Sequence, residues 1–244
     1  MSADARFKAF RRFNADPPPI HLDSRSRPGD WALAWFASDG IEDRLARALL
    51  RARAVPFKEM LEAFEFFERA RRHVRAPVVA DLCCGHGLVG MLYGVFHRDV
   101  DRVLLVDRTR PESVDRTLGA LAEVAPWLPS KVVFETTELE EATLPTGTAT
   151  LGVHACGRAT DAVIDRALSV GGPIALLPCC HPRSGVPGPP TLAQHLGHEV
   201  ATDVARTYRL EAAGYATRWT TIPASITPMN RVVLAWTAPA PQRS

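Results

Sequence analysis

Long apolar runs are absent from this sequence, and their absence argues against a membrane protein. No uninterrupted apolar stretch approaches the roughly 18–20 residues that span a bilayer. The segment from Met1 to Asn14 is charged and has no apolar centre, so we expect no secretory signal. The five cysteines are an odd number and form a poor disulfide framework. The sequence therefore predicts a protein of the reducing cytoplasm, without a membrane partner.

Lysine is also scarce, since Lys8, Lys58 and Lys131 are the only lysines among 29 basic residues. The net charge of +2 is too small to indicate a nucleic-acid partner by itself. Residues 1–75 nevertheless hold 15 basic and 11 acidic side chains. Arg69, Arg71, Arg72 and Arg75 end a predicted helix there, and arginine suits phosphate oxygens. The arginine-rich N-terminal region is a candidate phosphate-binding surface, although an ordinary solvated face or arginine-rich codon usage explains it as well.

The chain divides near residue 76. Residues 1–76 read as an irregular segment, containing Pro17–Pro19, followed by two helices. The second helix carries an apolar stripe that is typical of core: Phe57, Met60, Leu61, Phe64 and Phe67. Residues 77–237 alternate strands with helices, which predicts an α/β domain with a parallel sheet. Residues 238–244 read as a disordered tail, and a proline-rich loop spans residues 182–190.

Seven strands are predicted in the α/β domain. They cover residues 77–83, 102–107, 131–135, 149–154, 173–177, 217–222 and 231–236. Helices are predicted over residues 88–96, from residue 109, over 160–169 and over 199–213. The last two strands follow each other without a helix, so we expect a terminal hairpin with an antiparallel final strand.

A glycine turn after the first strand predicts a nucleotide site. Gly85 and Gly87 allow a positive φ and a close approach of the backbone to a ligand, and with Gly90 they satisfy G-x-G-x-x-G. Asp107 ends the second strand, where a carboxylate can accept hydrogen bonds from ribose hydroxyls. Asp81 lies four residues before Gly85. Its charge would repel a pyrophosphate but suits a cationic ligand, which favours S-adenosylmethionine over a nicotinamide dinucleotide.

These residues resemble the first motif of class I S-adenosylmethionine-dependent methyltransferases. The resemblance implies a Rossmann-like seven-stranded sheet in the order 3-2-1-4-5-7-6, with strand 7 antiparallel and a helical N-terminal extension. It implies S-adenosyl-L-methionine as cofactor. The cofactor-binding residues that it implies are Asp81, Cys83, Gly85, Gly87, Asp107 and Glu138. Cys83 departs from the glycine usual at its position, and Glu138 takes the usual adenine-side position without a specific motif.

A second pair of motifs follows the fourth and fifth predicted strands. The segment from His154 to Asp161 has the pattern H-x-C-G-x-A-T-D, and Cys179, Cys180 and His181 form C-C-H. This pair resembles a methyltransferase subfamily that includes tRNA acceptor-stem 2′-O-methyltransferases and a glutathione-S-transferase-like protein with a methyltransferase domain. The resemblance makes RNA, either tRNA or rRNA, the expected acceptor. The lysine-containing tetrad of another class of 2′-O-methyltransferases has no counterpart here, because no lysine lies near these strands.

Three interpretations of this cysteine–histidine cluster remain open. A cysteine can act as a nucleophile if a histidine or a helix N-terminus lowers its pKa, and a histidine can act as a general base. The candidate catalytic residues are His154, Cys156, Cys180 and His181. The cysteines can instead be small packing residues beneath the cofactor. A mixed Cys/His zinc site fits no recognised ligand spacing, so we predict no metal.

The sequence thus predicts an S-adenosylmethionine-dependent methyltransferase acting on RNA. Three alternatives remain: a small-molecule methyltransferase, a non-catalytic module that binds the same cofactor, and a nicotinamide-dependent oxidoreductase, which Asp81 disfavours. The oligomeric state is not predicted.

Overall fold

A seven-stranded mixed sheet forms the centre of the protein. The computed structural model describes residues 6–15, 20–27, 30–181 and 189–237. The strand order is β3-β2-β1-β4-β5-β7-β6. Strands β1 to β5 run parallel, and β7 is antiparallel to both β5 and β6. The predicted fold class, strand order and antiparallel β7 are therefore confirmed.

The strands lie close to their predicted positions. They are β1 (Val78–Leu82), β2 (Arg102–Asp107), β3 (Val132–Thr136), β4 (Ala149–Val153), β5 (Ile174–Leu177), β6 (Tyr215–Thr221) and β7 (Arg231–Thr237). The helices are α1 (Ile41–Arg51), α2 (Phe57–Ala70), α3 (Leu88–Phe96), α4 (Glu112–Ala122), α5 (Ala159–Val170), α6 (Pro190–Leu196) and α7 (His198–Ala212). Two short 3₁₀ turns, Arg11–Asn14 and Asp30–Trp35, precede α1. No helix among the described residues is both long and apolar enough to cross a membrane.

Glycines bring α3 close to the sheet at the motif turn. Gly87 caps the N-terminus of α3 in the left-handed conformation, with φ of 70°. A Cβ on Gly90 would lie only 2.9 Å from the Cβ of Asp81. The third glycine of the motif therefore serves the packing of helix against strand, which is its usual role in this motif.

The N-terminal helices share the core of the sheet. The predicted apolar stripe of α2 is buried throughout, and it joins the same hydrophobic cluster as Val79 on β1 and Leu105 on β2. Phe10 and Phe64 lie with ring centroids 5.0 Å apart, so the segment before α1 packs on α2 as well. The domain boundary near residue 76 stays a prediction, but α2 is packed as an integral part of the sheet's helical layer.

The sequence pattern missed one helix and predicted the start of another too early. Helix α6 starts at Pro190, where proline is favoured in the first turn, and no helix was predicted there. The helix predicted from residue 109 begins instead at Glu112, with Pro111 in the N-cap position and no side-chain hydrogen bond from it. The triple proline at 17–19, residues 182–188 of the proline-rich loop and the tail at 238–244 lie outside the described residues.

Candidate active site

A cavity of about 660 Å³ opens at the carboxyl ends of β2, β3 and β4. This is the edge where open parallel sheets bind ligands, and the volume falls in the range of small-molecule sites. Its wall contains five of the predicted site residues: Cys83, Asp107, Glu138, His154 and Cys156. The other lining residues are Val106, Arg108, Thr137, Leu139, Glu140, Arg158, Ala159, Asp161, Ala162 and Asp165.

The turn after β1 presents backbone rather than side chains. Gly85 has a φ of 53°, and a Cβ built on it would meet nothing within 4 Å, so the exposed main chain there leaves room for a ligand. Cys83 also has a positive φ, of 57°, which is uncommon for a residue with a side chain. Its thiol is half-buried on the cavity wall, and burial followed by the charge of Asp107 raises its pKa to about 11. Cys83 is thus a neutral thiol at this site.

Asp107 is held in place by the backbone on both sides. Its Oδ2 accepts a hydrogen bond of 2.9 Å from the Gly85 N–H, and its Oδ1 accepts one of 2.8 Å from its neighbour Arg108. Each carboxylate oxygen can accept a second hydrogen bond. The carboxylate is therefore oriented at the cavity wall with capacity left for two hydroxyl donors.

Asp81 lies behind this turn and not on the cavity wall. Its side chain is buried, and Oδ2 accepts a hydrogen bond of 2.9 Å from the Gly90 N–H. Burial raises the pKa of Asp81 to about 7, despite the hydrogen bond from Gly90, which lowers it. The electrostatic reason for expecting Asp81 to favour a cationic cofactor is weakened, because the carboxyl is partly protonated near neutrality. Its contact with the cofactor stays a prediction.

The cavity wall carries more acidic than basic side chains. The acidic ones are Asp107, Glu138, Glu140, Asp161 and Asp165, and the basic ones are Arg108 and Arg158. Asp161 and Asp165 are paired with Arg206 and Arg209 behind the wall, so the remaining acidic residues outnumber the basic ones by only three to two.

His154 is the best-placed base on this wall. It follows β4, and its φ of 57° places it in a left-handed conformation of the kind that clusters at functional sites. Its Nε2 lies 3.0 Å from Oε2 of Glu62, a fully buried carboxylate on α2. The other oxygen of Glu62 accepts a hydrogen bond of 2.5 Å from Lys58 Nζ. No pattern in the sequence had pointed to Glu62 as a site residue.

A second carboxylate of α2 reaches the glycine turn. His86, between the two motif glycines, lies with Nε2 3.1 Å from Oε2 of Glu59. The hydrogen bond from His86 lowers the pKa of Glu59 against the opposing effect of burial. Glu59 and Glu62, one helical turn apart on α2, therefore contact the glycine turn and His154, respectively.

The three cysteines after β4 and β5 come together as the motifs predicted. The Sγ atoms of Cys156 and Cys179 lie 3.4 Å apart, and those of Cys179 and Cys180 lie 3.6 Å apart. All five cysteines of the chain are free thiols. The nucleophile interpretation requires a lowered thiol pKa, but burial raises the pKa of Cys156 and of Cys179. The structure thus offers no activated thiolate among these two residues.

His181 lies apart from His154, in a buried charge network. Its side chain is 2% exposed, and Nε2 lies 2.8 Å from Oδ1 of Asp203 on α7. Asp203 also pairs with Arg206 and Arg231, and Arg206 binds both oxygens of Asp161 at 2.9 and 3.0 Å. Neither His181 nor Cys180 is on the cavity wall, so their catalytic roles stay predictions. Both histidines have carboxylate partners, and the mixed Cys/His metal set does not assemble.

The residues of the cavity fit S-adenosylmethionine. The open space at the exposed Gly85 and the oriented carboxylate of Asp107 suit its amino-acid end and its ribose. The strand order places these features on the sheet of a class I methyltransferase.

The comparisons with known proteins agree with this class. A family model described as a methyltransferase domain matches residues 57–183, and the chain belongs to that family. It is a methyltransferase with S-adenosylmethionine as cofactor. The match begins at Phe57, the first residue of α2.

Solved structures with similar folds have low sequence identity to the chain. One is a SAM-dependent methyltransferase from Aquifex aeolicus, with a TM-score of 0.45 and 16% identity, covering 72% of this chain and 90% of that one. Another is the magnesium protoporphyrin IX methyltransferase from Synechocystis PCC 6803, with a TM-score of 0.41, 14% identity and coverage of 85% and 92%. A geranyl diphosphate methyltransferase has a TM-score of 0.47, 12% identity and coverage of 89% and 98%. No curated protein matches the chain.

Proposed function

We propose that the protein methylates an oxygen or nitrogen atom of RNA, with His154 as the general base. The observation that carries the chemical part of the proposal is the hydrogen bond between His154 and the buried Glu62 at the cavity wall. S-adenosylmethionine supplies the reactive methyl group on its sulfonium. The tasks left to the chain are to align the acceptor and to take its proton.

The Glu62 carboxylate sets the tautomer of His154. A carboxylate can only accept hydrogen bonds, so it binds the protonated Nε2 and leaves the lone pair on Nδ1. Nδ1 is then the atom that receives the acceptor's proton. The same carboxylate stabilises the imidazolium that forms, as in other histidine–carboxylate pairs.

Lys58 strengthens this arrangement by fixing the carboxylate. With Oε1 held by Lys58 Nζ, Oε2 is the oxygen available to His154. Because Glu62 is buried, Lys58 balances its charge away from water, and the neutral His154 supplies a hydrogen bond.

The neutral thiols do not favour the nucleophilic alternative. A cysteine nucleophile must be a thiolate, and burial raises the pKa of Cys156. Of the two catalytic interpretations, acid–base chemistry at His154 is therefore favoured over a cysteine nucleophile.

RNA is supported as the acceptor by the resemblance of the H-x-C-G-x-A-T-D and C-C-H motifs and by exposed arginines. Arg11, Arg25, Arg44, Arg51 and Arg53 of the N-terminal region are exposed. The expectation that Arg69 holds a phosphate is wrong, because its side chain is fully buried and pairs with Glu65. Arg75 is exposed but pairs with Asp99.

The free thiols further support a reducing, cytoplasmic location.

The acceptor class is tested by methyl transfer from labelled cofactor into total RNA and into a metabolite extract. We expect label in RNA, with RNA affinity falling steeply as salt rises, because phosphate contacts release counterions. A variant with Arg44, Arg51 and Arg53 changed to Ala should bind RNA more weakly and lose part of that salt dependence. The matched control changes the exposed Arg98, Arg102 and Arg218 of the remaining chain. Label only in the metabolite extract would replace RNA with a small molecule, and label in neither would favour a non-catalytic module.

A further inference from the structure

Three thiols meet beside the cavity, and one of them, Cys156, lines its wall. Cys156 follows β4, and Cys179 and Cys180 follow β5, its parallel neighbour in the sheet. Backbone hydrogen bonds tie the two loops together, from His154 N–H to Leu177 O at 3.2 Å and from Gly157 N–H to Cys180 O at 3.1 Å. The arrangement of the thiols is therefore set by the sheet and not by chance contact of exposed side chains.

The spacing of the thiols suits a tetrahedral metal ion. A Zn–S bond of about 2.3 Å implies sulfur–sulfur edges of about 3.8 Å in a tetrahedron. The edges Cys156–Cys179 and Cys179–Cys180 measure 3.4 and 3.6 Å, and all three sulfurs lie within 4.8 Å of one another. Over the described ranges, this is the one group of three or more potential ligand side chains so close together. The adjacent Cys179 and Cys180 thus lie at nearly the required distance.

The chemistry of the cluster selects a soft ion. Thiolates prefer zinc and cuprous copper to magnesium, calcium or manganese. A disulfide would use only two of the three sulfurs and would leave the third unexplained. Three protein ligands leave a fourth position, as in zinc sites that bind water or substrate. Cys156 and Cys180 are exposed, and Cys156 also lines the cavity, so that position is reachable from outside.

We propose that Cys156, Cys179 and Cys180 bind one zinc ion through three thiolates, with the fourth position open at the entrance of the cofactor cavity. This departs from the sequence-based prediction of no metal. The site does not depend on the identity of the acceptor, since its ligands are separate from Glu62 and Asp107. Binding must displace the thiol protons, because metal ligation requires thiolates.

The test uses the full-length protein, reduced and freed of metal with a chelator. Added Co²⁺ reports the site through thiolate-to-cobalt charge transfer and the visible bands of tetrahedral cobalt, and Zn²⁺ should displace it at one ion per chain. Cys156→Ser and Cys180→Ser should each weaken zinc binding more than about 100-fold, since even an outer-shell change commonly costs 10–100-fold. Zinc binding should release up to three protons from the protein at neutral pH, and fewer from the Cys180→Ser variant.

Cys84→Ala is the matched control, because Cys84 is a free cysteine outside the cluster. It should leave the cobalt spectrum and the zinc affinity unchanged. Circular dichroism of each variant separates loss of the site from loss of the fold, and Cys→Ala substitutions replace any serine variant that does not fold. Absence of thiolate-to-cobalt charge transfer would overturn the proposal. Equal weakening by Cys84→Ala and the cluster variants would overturn it as well.

Discussion

Glu62 of helix α2 and His154 after strand β4 lie 92 residues apart in the chain, and their side chains meet with Oε2 3.0 Å from Nε2. The contact joins the N-terminal helices to the cavity wall. Under the proposed function, it gives α2 a part in the chemistry beyond its packing against the sheet. The family match, which begins at the first residue of α2, includes this helix.

Changing Glu62 to Gln should reverse the tautomer of His154. Lys58 would hold the amide oxygen, so the amide N–H₂ would face Nε2 and drive the ring proton to Nδ1. We expect kcat to fall by roughly 10²–10⁴-fold, the contribution of a general base, with cofactor affinity unchanged. Nitrogen chemical shifts of the His154 ring give the tautomer directly. Glu68→Gln on the same helix is the control, and an unaltered tautomer in the Glu62 variant would refute the assignment.

Removing the Asp107 carboxylate should weaken cofactor binding. Hydrogen bonds to a charged group contribute about 1.5–3 kcal/mol, so Asp107→Ala should raise the Kd for S-adenosylmethionine by about 10- to 150-fold. Calorimetry measures this, and Asp101→Ala, at the opposite end of β2, should leave the Kd unchanged. An unaltered Kd in the Asp107 variant would remove this residue from the ribose site.

Asp81 should make the stability of the cofactor-free protein fall as pH rises. Its pKa is about 7 in the folded protein, above its ordinary value of 3.8. Between these values the folded protein holds a proton that the unfolded chain releases, so its stability declines with rising pH. The full loss is at most about 4 kcal/mol. The free energy of unfolding of Asp81→Asn, minus that of the wild type, should therefore rise between about pH 5 and pH 8. Denaturant titrations that show a constant difference across that interval would contradict this.

Asp203 should be needed for folding rather than for chemistry. It is fully buried and pairs with His181, Arg206 and Arg231. Removing one member of a buried charge network leaves the others uncompensated, so Asp203→Ala should cost about 3–5 kcal/mol of unfolding free energy. Asp165→Ala removes the exposed pair with Arg209 and should cost less than about 1 kcal/mol. Comparable losses in the two variants would show that the buried network contributes no more to stability than an exposed ion pair does.

The sheet could be predicted from the sequence because its strands are short apolar runs separated by turn residues. Strand β2 and helix α3 fall at the predicted bounds. The glycine turn and Asp107 were found because their chemistry depends on local spacing. The meeting of Cys156, Cys179 and Cys180 followed from strand order, since parallel neighbours end at the same edge of the sheet.

The partners of the histidines could not be predicted in this way. In the sequence of α2, Glu59 and Glu62 look like ordinary solvent-facing charges, yet Glu62 is fully buried. A carboxylate buried within an apolar helix signals a distant partner, but nothing in the local pattern identifies His154. The same holds for His181, whose buried partner Asp203 lies on α7.

The most direct test of the account is methyl transfer to RNA by wild type and by His154→Ala, with cofactor affinity measured in parallel. The account predicts labelled RNA with the wild type, and a rate lower by at least about 100-fold in the variant at unchanged cofactor affinity. An equal rate in the variant, or labelled metabolites without labelled RNA, would contradict it.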